Sequence, residues 1–162
     1  MIRHVVLLAF VAGAASPVLA QSKLSVGDQA AAFRSAGFKL VDRRWQGCGD
    51  PGTASYTPGT IESVSDLNGD KLPEAVITEG SIFCFGGAET GYSLVSKQAN
   101  GMWKLITSGS GVATFLATKG AAGWPDIEVG GPGFCFPVER WNGREYRLHR
   151  YQYEGKPCRP RS

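Results

Sequence analysis

Histidine is almost missing from this chain: His4 lies in an apolar N-terminal segment, and His149 is the only other one. A Ser or Cys nucleophile needs a positioned base, so a triad would depend wholly on His149, in a segment crowded by Arg147 and Arg150. No Ser sits in a nucleophile-elbow pattern, and no phosphate-binding loop occurs despite 22 glycines. Cys-x-x-Cys and Cys-x-x-His are absent as well, which removes the common zinc and redox spacings. Carboxylates such as Glu79 and Glu89 could serve a glycosidase only if folding sets them at the right separation. A small hydrolase is therefore the weakest functional expectation, and a non-enzymatic role leads.

Long apolar runs are missing beyond the first 20 residues, so nothing there predicts a membrane span. Those first residues read as a secretory signal peptide over 1–20: Met1-Ile-Arg-His opens with positive charge, Val5 to Ala15 is apolar or small, and Val18-Leu19-Ala20 precedes Gln21. No Cys stands at that junction, so lipoprotein processing is unsupported. The expected location is the periplasm or the medium. The formal charge of +3 falls to +2 once Arg3 leaves with the leader, too little to predict nucleic-acid binding. Basic residues do concentrate near the end, at Arg140, Arg144, Arg147, Arg150, Lys156, Arg159 and Arg161. They read as a solvated hairpin face and tail, or as a surface for an anionic partner.

Four cysteines are present, at 48, 84, 135 and 158. An even count in an exported chain argues for two disulfides, although four Cys permit three connectivities. Cys84 and Cys135 stand at equivalent places in the repeat described next. That favours Cys48–Cys84 and Cys135–Cys158, with a Cys84–Cys135 bridge as the alternative.

The chain repeats itself. Leu72-Pro73-Glu74-Ala75-Val76-Ile77 matches Trp124-Pro125-Asp126-Ile127-Glu128-Val129, and Gly80-Ser-Ile-Phe-Cys-Phe85 matches Gly131-Pro-Gly-Phe-Cys-Phe136. Asn100-Gly101-Met102-Trp103 is echoed from Asn142-Gly143 onward, so three matches fall in one order. Short strands are predicted at Ile61 to Val64, Glu74 to Thr78, Tyr92 to Ser96 and Met102 to Thr107. Their counterparts are Ala113 to Thr118, Asp126 to Val129, Phe134 to Arg140 and Glu145 to Tyr151. Asn100-Gly101 and Asn142-Gly143 predict type I′ turns. The expected fold is mostly β: two four-stranded antiparallel units, about 59–108 and about 112–153, in a single domain over 21–162. Ahead of them, Ser25-Val-Gly-Asp28 reads as the cap of a short helix whose Val26, Ala30 and Phe33 pack on the sheet. Phe38 to Trp45 reads as one strand. The eleven residues from Gly49 to Gly59 form a long loop, either a recognition surface or a pinned connector.

Between Asp66 and Glu74 oxygen-bearing side chains alternate: Asp66, Asn68 and Asp70, with Glu74 opening the strand Ala75-Val76-Ile77. That pattern is calcium-loop chemistry leading into a buried strand. The string Asp66-x-Asn68-Gly69-Asp70, with its acidic residue and aliphatic strand, resembles the FG-GAP and VCBS repeats of integrin-like propellers and secreted bacterial proteins. The resemblance implies that each repeat is a blade, and that Asp66, Asn68 and Asp70 bind calcium through side chains, Leu72 through its carbonyl and Glu74 as the closing carboxylate. Lys71 departs from the family, which has Gly there, and Glu74 is longer than the usual Asp. Both departures predict weaker binding. The second copy keeps only Asp126 of the acids, so one site is expected, not two. Against calcium stands a metal-free polar turn in which Asp and Asn accept backbone N–H groups.

These features predict an exported, non-enzymatic binding or scaffolding module for an envelope protein or polysaccharide, stabilised by one calcium ion. The alternative is an inhibitor of an envelope hydrolase, a protease or lysozyme. Two blades cannot close a propeller, whose smallest common form has about four. The units must pack as a sandwich-like pair or be completed by other subunits.

Overall fold

The computed structural model describes residues 24–160, so the leader expected at 1–20 lies outside the described part. Ser25 caps α1 (Val26–Ser35), its hydroxyl accepting the Asp28 N–H at 3.1 Å. Ala32 and Phe33 form the buried side. Val26, expected beside them, is 84% exposed. The first turn overhangs the sheet end, where Asp28 accepts the Trp103 indole N–H at 3.0 Å and the Lys97 ammonium at 2.8 Å. Those bonds, that to Lys97 first, bring the Asp28 carboxyl down to about 2.

The single strand expected over Phe38 to Trp45 is instead a hairpin. β1 (Lys39–Val41) pairs with β2 (Arg44–Gln46), and the turn places Asp42 and Arg43 at φ 47° and 63°. Asp42 is a residue that tolerates positive φ, but Arg43 stands where such turns favour Gly, so the dipeptide gave only a weak turn signal.

From there the chain forms β3 (Thr57–Ser65), β4 (Glu74–Gly80), a one-turn helix α2 (Ile82–Phe85), β5 (Thr90–Lys97), β6 (Trp103–Ser110), β7 (Val112–Lys119), β8 (Pro125–Gly130), β9 (Phe136–Trp141), β10 (Tyr146–Tyr153) and β11 (Lys156–Pro157). All pairings are antiparallel, in sheets ordered β1-β2-β3-β4-β5-β6 and β11-β10-β9-β8-β7. The strands expected in each copy form the consecutive runs β3–β6 and β7–β10. The sheets are larger than four strands, because β1 and β2 extend one and β11 extends the other. A single residue, Gly111 at φ 124°, turns the chain from one sheet into the other. A Cβ there would collide with the Gly130 carbonyl, so only glycine fits this corner.

The Asn-Gly hairpins also differ from expectation. Gly101 and Gly143 have positive φ, but Asn100 and Asn142 do not. Each Asn side chain instead accepts backbone N–H groups, Met102 at 3.0 Å in the first turn and Arg144 and Glu145 at 2.9 and 3.0 Å in the second. The longer loops these require replace the two-residue type I′ turn.

The central strands β4 and β5 of sheet one are buried on both faces, which is why β4 reads Ala-Val-Ile without polar alternation. Ala75 and Ile77 pack with Val95 against Ala32, Phe33 and Phe38. Val76, Tyr92 and Leu94 point the other way, onto Trp124, Ile127 and Tyr146 of the second unit. In the sequence match Ala75 corresponds to Ile127 and Val76 to Glu128. Positions that face α1 in the first unit therefore face the neighbouring sheet in the second. The units pack front to back, not face to face.

The disulfides are Cys48–Cys84 and Cys135–Cys158. Each ties a Phe-Cys-Phe segment to a neighbouring loop, as equivalence of the copies suggested, and the Cys84–Cys135 alternative is excluded. Replacing Cys48 and Cys84 together by Ser should lower the unfolding free energy by about 2–4 kcal/mol, read from urea denaturation under oxidising conditions.

Candidate functional site

The loop between β3 and β4 closes on itself. Asp66 accepts the Gly69 N–H at 2.7 Å on one oxygen and the Lys71 N–H at 2.9 Å on the other. The Asn68 carbonyl oxygen accepts the Asp70 N–H at 2.8 Å, and its amide nitrogen donates to Asp70 at 3.1 Å. Asp70 also accepts the Leu72 N–H at 2.7 Å. These are Asx turns, the metal-free alternative to a calcium cage. Lys71 sits at φ 71°, the strained conformation for which the resembling family uses Gly.

Glu74 differs from the other acids because it is 1% exposed. It accepts the Leu67 N–H at 2.7 Å on one oxygen and the Ser96 hydroxyl at 2.7 Å on the other. Burial pushes its carboxyl up from the ordinary Glu range; the Ser96 and Leu67 bonds pull against that, and the Asp70 and Asp66 charges add to the rise. No cation pairs with Glu74 among the described residues. The loop presses on the second unit, where a Cβ at Gly123 would collide with the Asn68 carbonyl.

The second copy solves the same problem differently. Asp126, aligned with Glu74, is fully buried. The Arg140 guanidinium grips it with two bonds of 2.8 Å, Arg150 donates at 3.1 Å, and the Thr118 hydroxyl at 2.6 Å. The Arg140 bond leads in holding the carboxyl well below the usual range, although burial opposes it. Two residues of the basic C-terminal stretch are thus structural. A third, Arg147, pairs with Glu145 at 2.8 Å.

No protein family, curated protein or solved structure matches this chain. The site is therefore read from its own chemistry. Asp66, Asn68, Asp70, the Leu72 carbonyl and Glu74 offer only oxygen donors, the kind that suits calcium. Each carboxylate accepts about four hydrogen bonds at most, so the bonds already made leave lone pairs over. Among the described residues, however, no group of three or more His, Cys, Asp or Glu side chains stands ready to hold a metal. The donor set fits calcium, while its present arrangement is committed to the loop backbone.

Other candidates sort clearly. The Gly49 to Gly59 loop is pinned: Asp50 accepts N–H groups from Gly52 and Thr53 and hydroxyls from Thr53 and Ser81. Burial pushes the Asp50 carboxyl up, but those bonds outweigh it and leave it at about 2. Glu79, 4% exposed, accepts the Gly47 and Cys48 N–H groups and the Tyr56 hydroxyl, each at 2.9 Å. Burial, with that bond to Glu79 second, raises the Tyr56 hydroxyl to about 12. Glu89 is exposed. His149 is exposed at a bulge in β10, with no carboxylate or hydroxyl in hydrogen-bond reach among the described residues.

Removing the Asp126 charge should be costly, since it leaves Arg140 and Arg150 facing each other without an anion. Asp126→Asn is expected to lose about 3 kcal/mol at neutral pH. Because the folded carboxyl is held low, the unfolded chain takes up the proton first on acidification. Its stabilisation is complete above about pH 5 and disappears as pH falls. Urea midpoints at neutral and acid pH should therefore converge for parent and mutant as the pH is lowered.

Proposed function

We propose that this chain is an exported, non-enzymatic binding or scaffolding module made of two FG-GAP/VCBS-like units, stabilised by one calcium ion at Asp66, Asn68, Asp70, Leu72 and Glu74. Its setting is the periplasm or the medium, in keeping with two disulfides, and its partner class is an envelope protein or polysaccharide. Among the described residues no helix is long and apolar enough to cross a membrane.

The observation that carries the reading is the aligned pair of buried carboxylates. A buried charge requires compensation; Asp126 has two guanidinium groups, whereas Glu74 has neutral donors and two acidic neighbours. A divalent cation among Asp66, Asp70 and Glu74 would relieve that repulsion. The blade interpretation draws on the front-to-back packing, in which equivalent strands use opposite faces. Calcium must share the loop oxygens with the Asx-turn bonds and tolerate Lys71, so the expected affinity is at the weak end for extracellular modules, about 10⁻⁴ to 10⁻³ M.

A second reading, an inhibitor of an envelope protease or lysozyme, draws on Phe83 and Phe134. These equivalent residues flank disulfide cysteines and are 65% and 76% exposed. Fixed protruding aromatics of this kind suit insertion into a cleft.

Thermal melting separates calcium dependence from its absence. Millimolar calcium should raise the parent melting temperature, magnesium should do so less, and Asp70→Ala should remove the response. Acidification should weaken the effect, because a proton and the ion compete for Glu74, whose carboxyl is already raised. A parent melting temperature indifferent to calcium would contradict the reading.

A further inference from the structure

Helix α1 covers only part of the outer face of sheet one. Beyond Ala36, at its C-terminal end, lies a cavity of about 290 Å³ between Phe38, the Cys48–Cys84 region and Phe85. Its floor belongs to β5 and β6, where Ser93 stands opposite Ser108 and Gly91 opposite Ser110. These positions share the face on which Val95 packs against Phe33, yet they carry hydroxyls or no side chain at all. Ser93 is 8% exposed, lines the cavity and makes no hydroxyl hydrogen bond among the described residues. No buried side-chain polar atom among the described residues lacks a partner, so the Ser93 hydroxyl opens into the cavity, free to donate to and accept from whatever enters it.

The walls define what that ligand can be. Glu79 supplies a carboxylate already holding three donors, with room for one more. The Phe85 ring lies against Gly91, and Phe38 closes the opposite side, so two aromatic surfaces border a floor of hydroxyls. No Lys, Arg or His lines the cavity, and an anion would meet Glu79 without compensation. The volume stands at the lower limit of small-ligand sites, about 300 Å³. A single ring with an apolar face and hydroxyls at its edge matches these walls.

We propose that this cavity binds one neutral saccharide ring, its hydroxyls hydrogen-bonded to Ser93, Ser108 and Glu79 and its C–H face packed on Phe85. The inference rests on reading the chain as a binding module; it is independent of the calcium loop, which lies in the contact with the second sheet. Serine hydroxyls both donate and accept, as sugar hydroxyls require.

The test is an amide-resonance titration of the mature protein, with and without calcium, using methyl glucoside, methyl galactoside, N-acetylglucosamine and glucuronate as probes. At least one neutral sugar should shift Gly91, Ser93 and Ser108 while leaving 66–74 unmoved, and glucuronate should not bind. Ser93→Val should weaken binding about tenfold. Ser108→Phe, at an exposed position that tolerates bulk, should fill the cavity and abolish binding. The inference is overturned if no neutral sugar shifts these amides, if glucuronate binds equally well, or if both variants bind as the parent does. A silent titration beside an intact calcium response removes the sugar site alone; a lost calcium response with sugar shifts intact removes the calcium loop alone.

Discussion

Each unit begins its second strand with a carboxylate sealed from water, and the manner of compensating that charge shapes what surrounds it. In the second unit the compensating charges are side chains of the chain itself. Arg140 from β9 and Arg150 from β10 reach across to Asp126 on β8, so one carboxylate joins three strands. Removing the guanidinium groups would strand the buried Asp126 carboxylate, whereas removing Asp126 would leave two partly exposed guanidinium groups close together. In the first unit Glu74 is held by a backbone N–H and the Ser96 hydroxyl, and two further acids lie in the loop before it. The proposed ion would play for Glu74 the part that the guanidinium groups play for Asp126.

Front-to-back packing explains why equivalent residues meet different fates. Val76 and Ile127 share the core between the sheets although they are not aligned in the repeat. Such contacts are heterologous and can in principle continue indefinitely. Here both ends are covered. Helix α1 occupies the free face of the first sheet, leaving the small cavity beyond its C-terminus. On the second sheet, Asp126, Glu128, Arg140, Arg150 and Gln152 tie together through hydrogen bonds, including Gln152 to Glu128 at 2.6 Å. A polar outer face serves as a cap, as in the terminal units of repeat proteins.

What could be read in advance follows from the range of each interaction. The Ala75-Val76-Ile77 run, the Pro-acid pair and the two Phe-Cys-Phe segments are local and occur twice, so strands and disulfide pairing were legible. Turn conformation was less so. Arg43 adopts positive φ against its residue preference, and Asn100 uses its side chain where a two-residue turn would use its backbone. Arg140 and Arg150 looked like part of a basic surface because their partner lies on another strand, and only strand register brings the three together. The acids of the loop were legible as a set, whereas the commitment of their oxygens to backbone N–H groups was not. The cavity depends on how far α1 extends, which spacing does not encode.

The most direct test of this two-way compensation is a crystal structure grown in millimolar calcium, with anomalous scattering to identify the ion. One calcium is predicted at the first loop, about 2.3–2.6 Å from oxygens of Asp66, Asp70 and Glu74, and none beside Asp126. A loop without the ion, with Asp66 and Asp70 still turned onto their own backbone and Glu74 held only by Leu67 and Ser96, would contradict it.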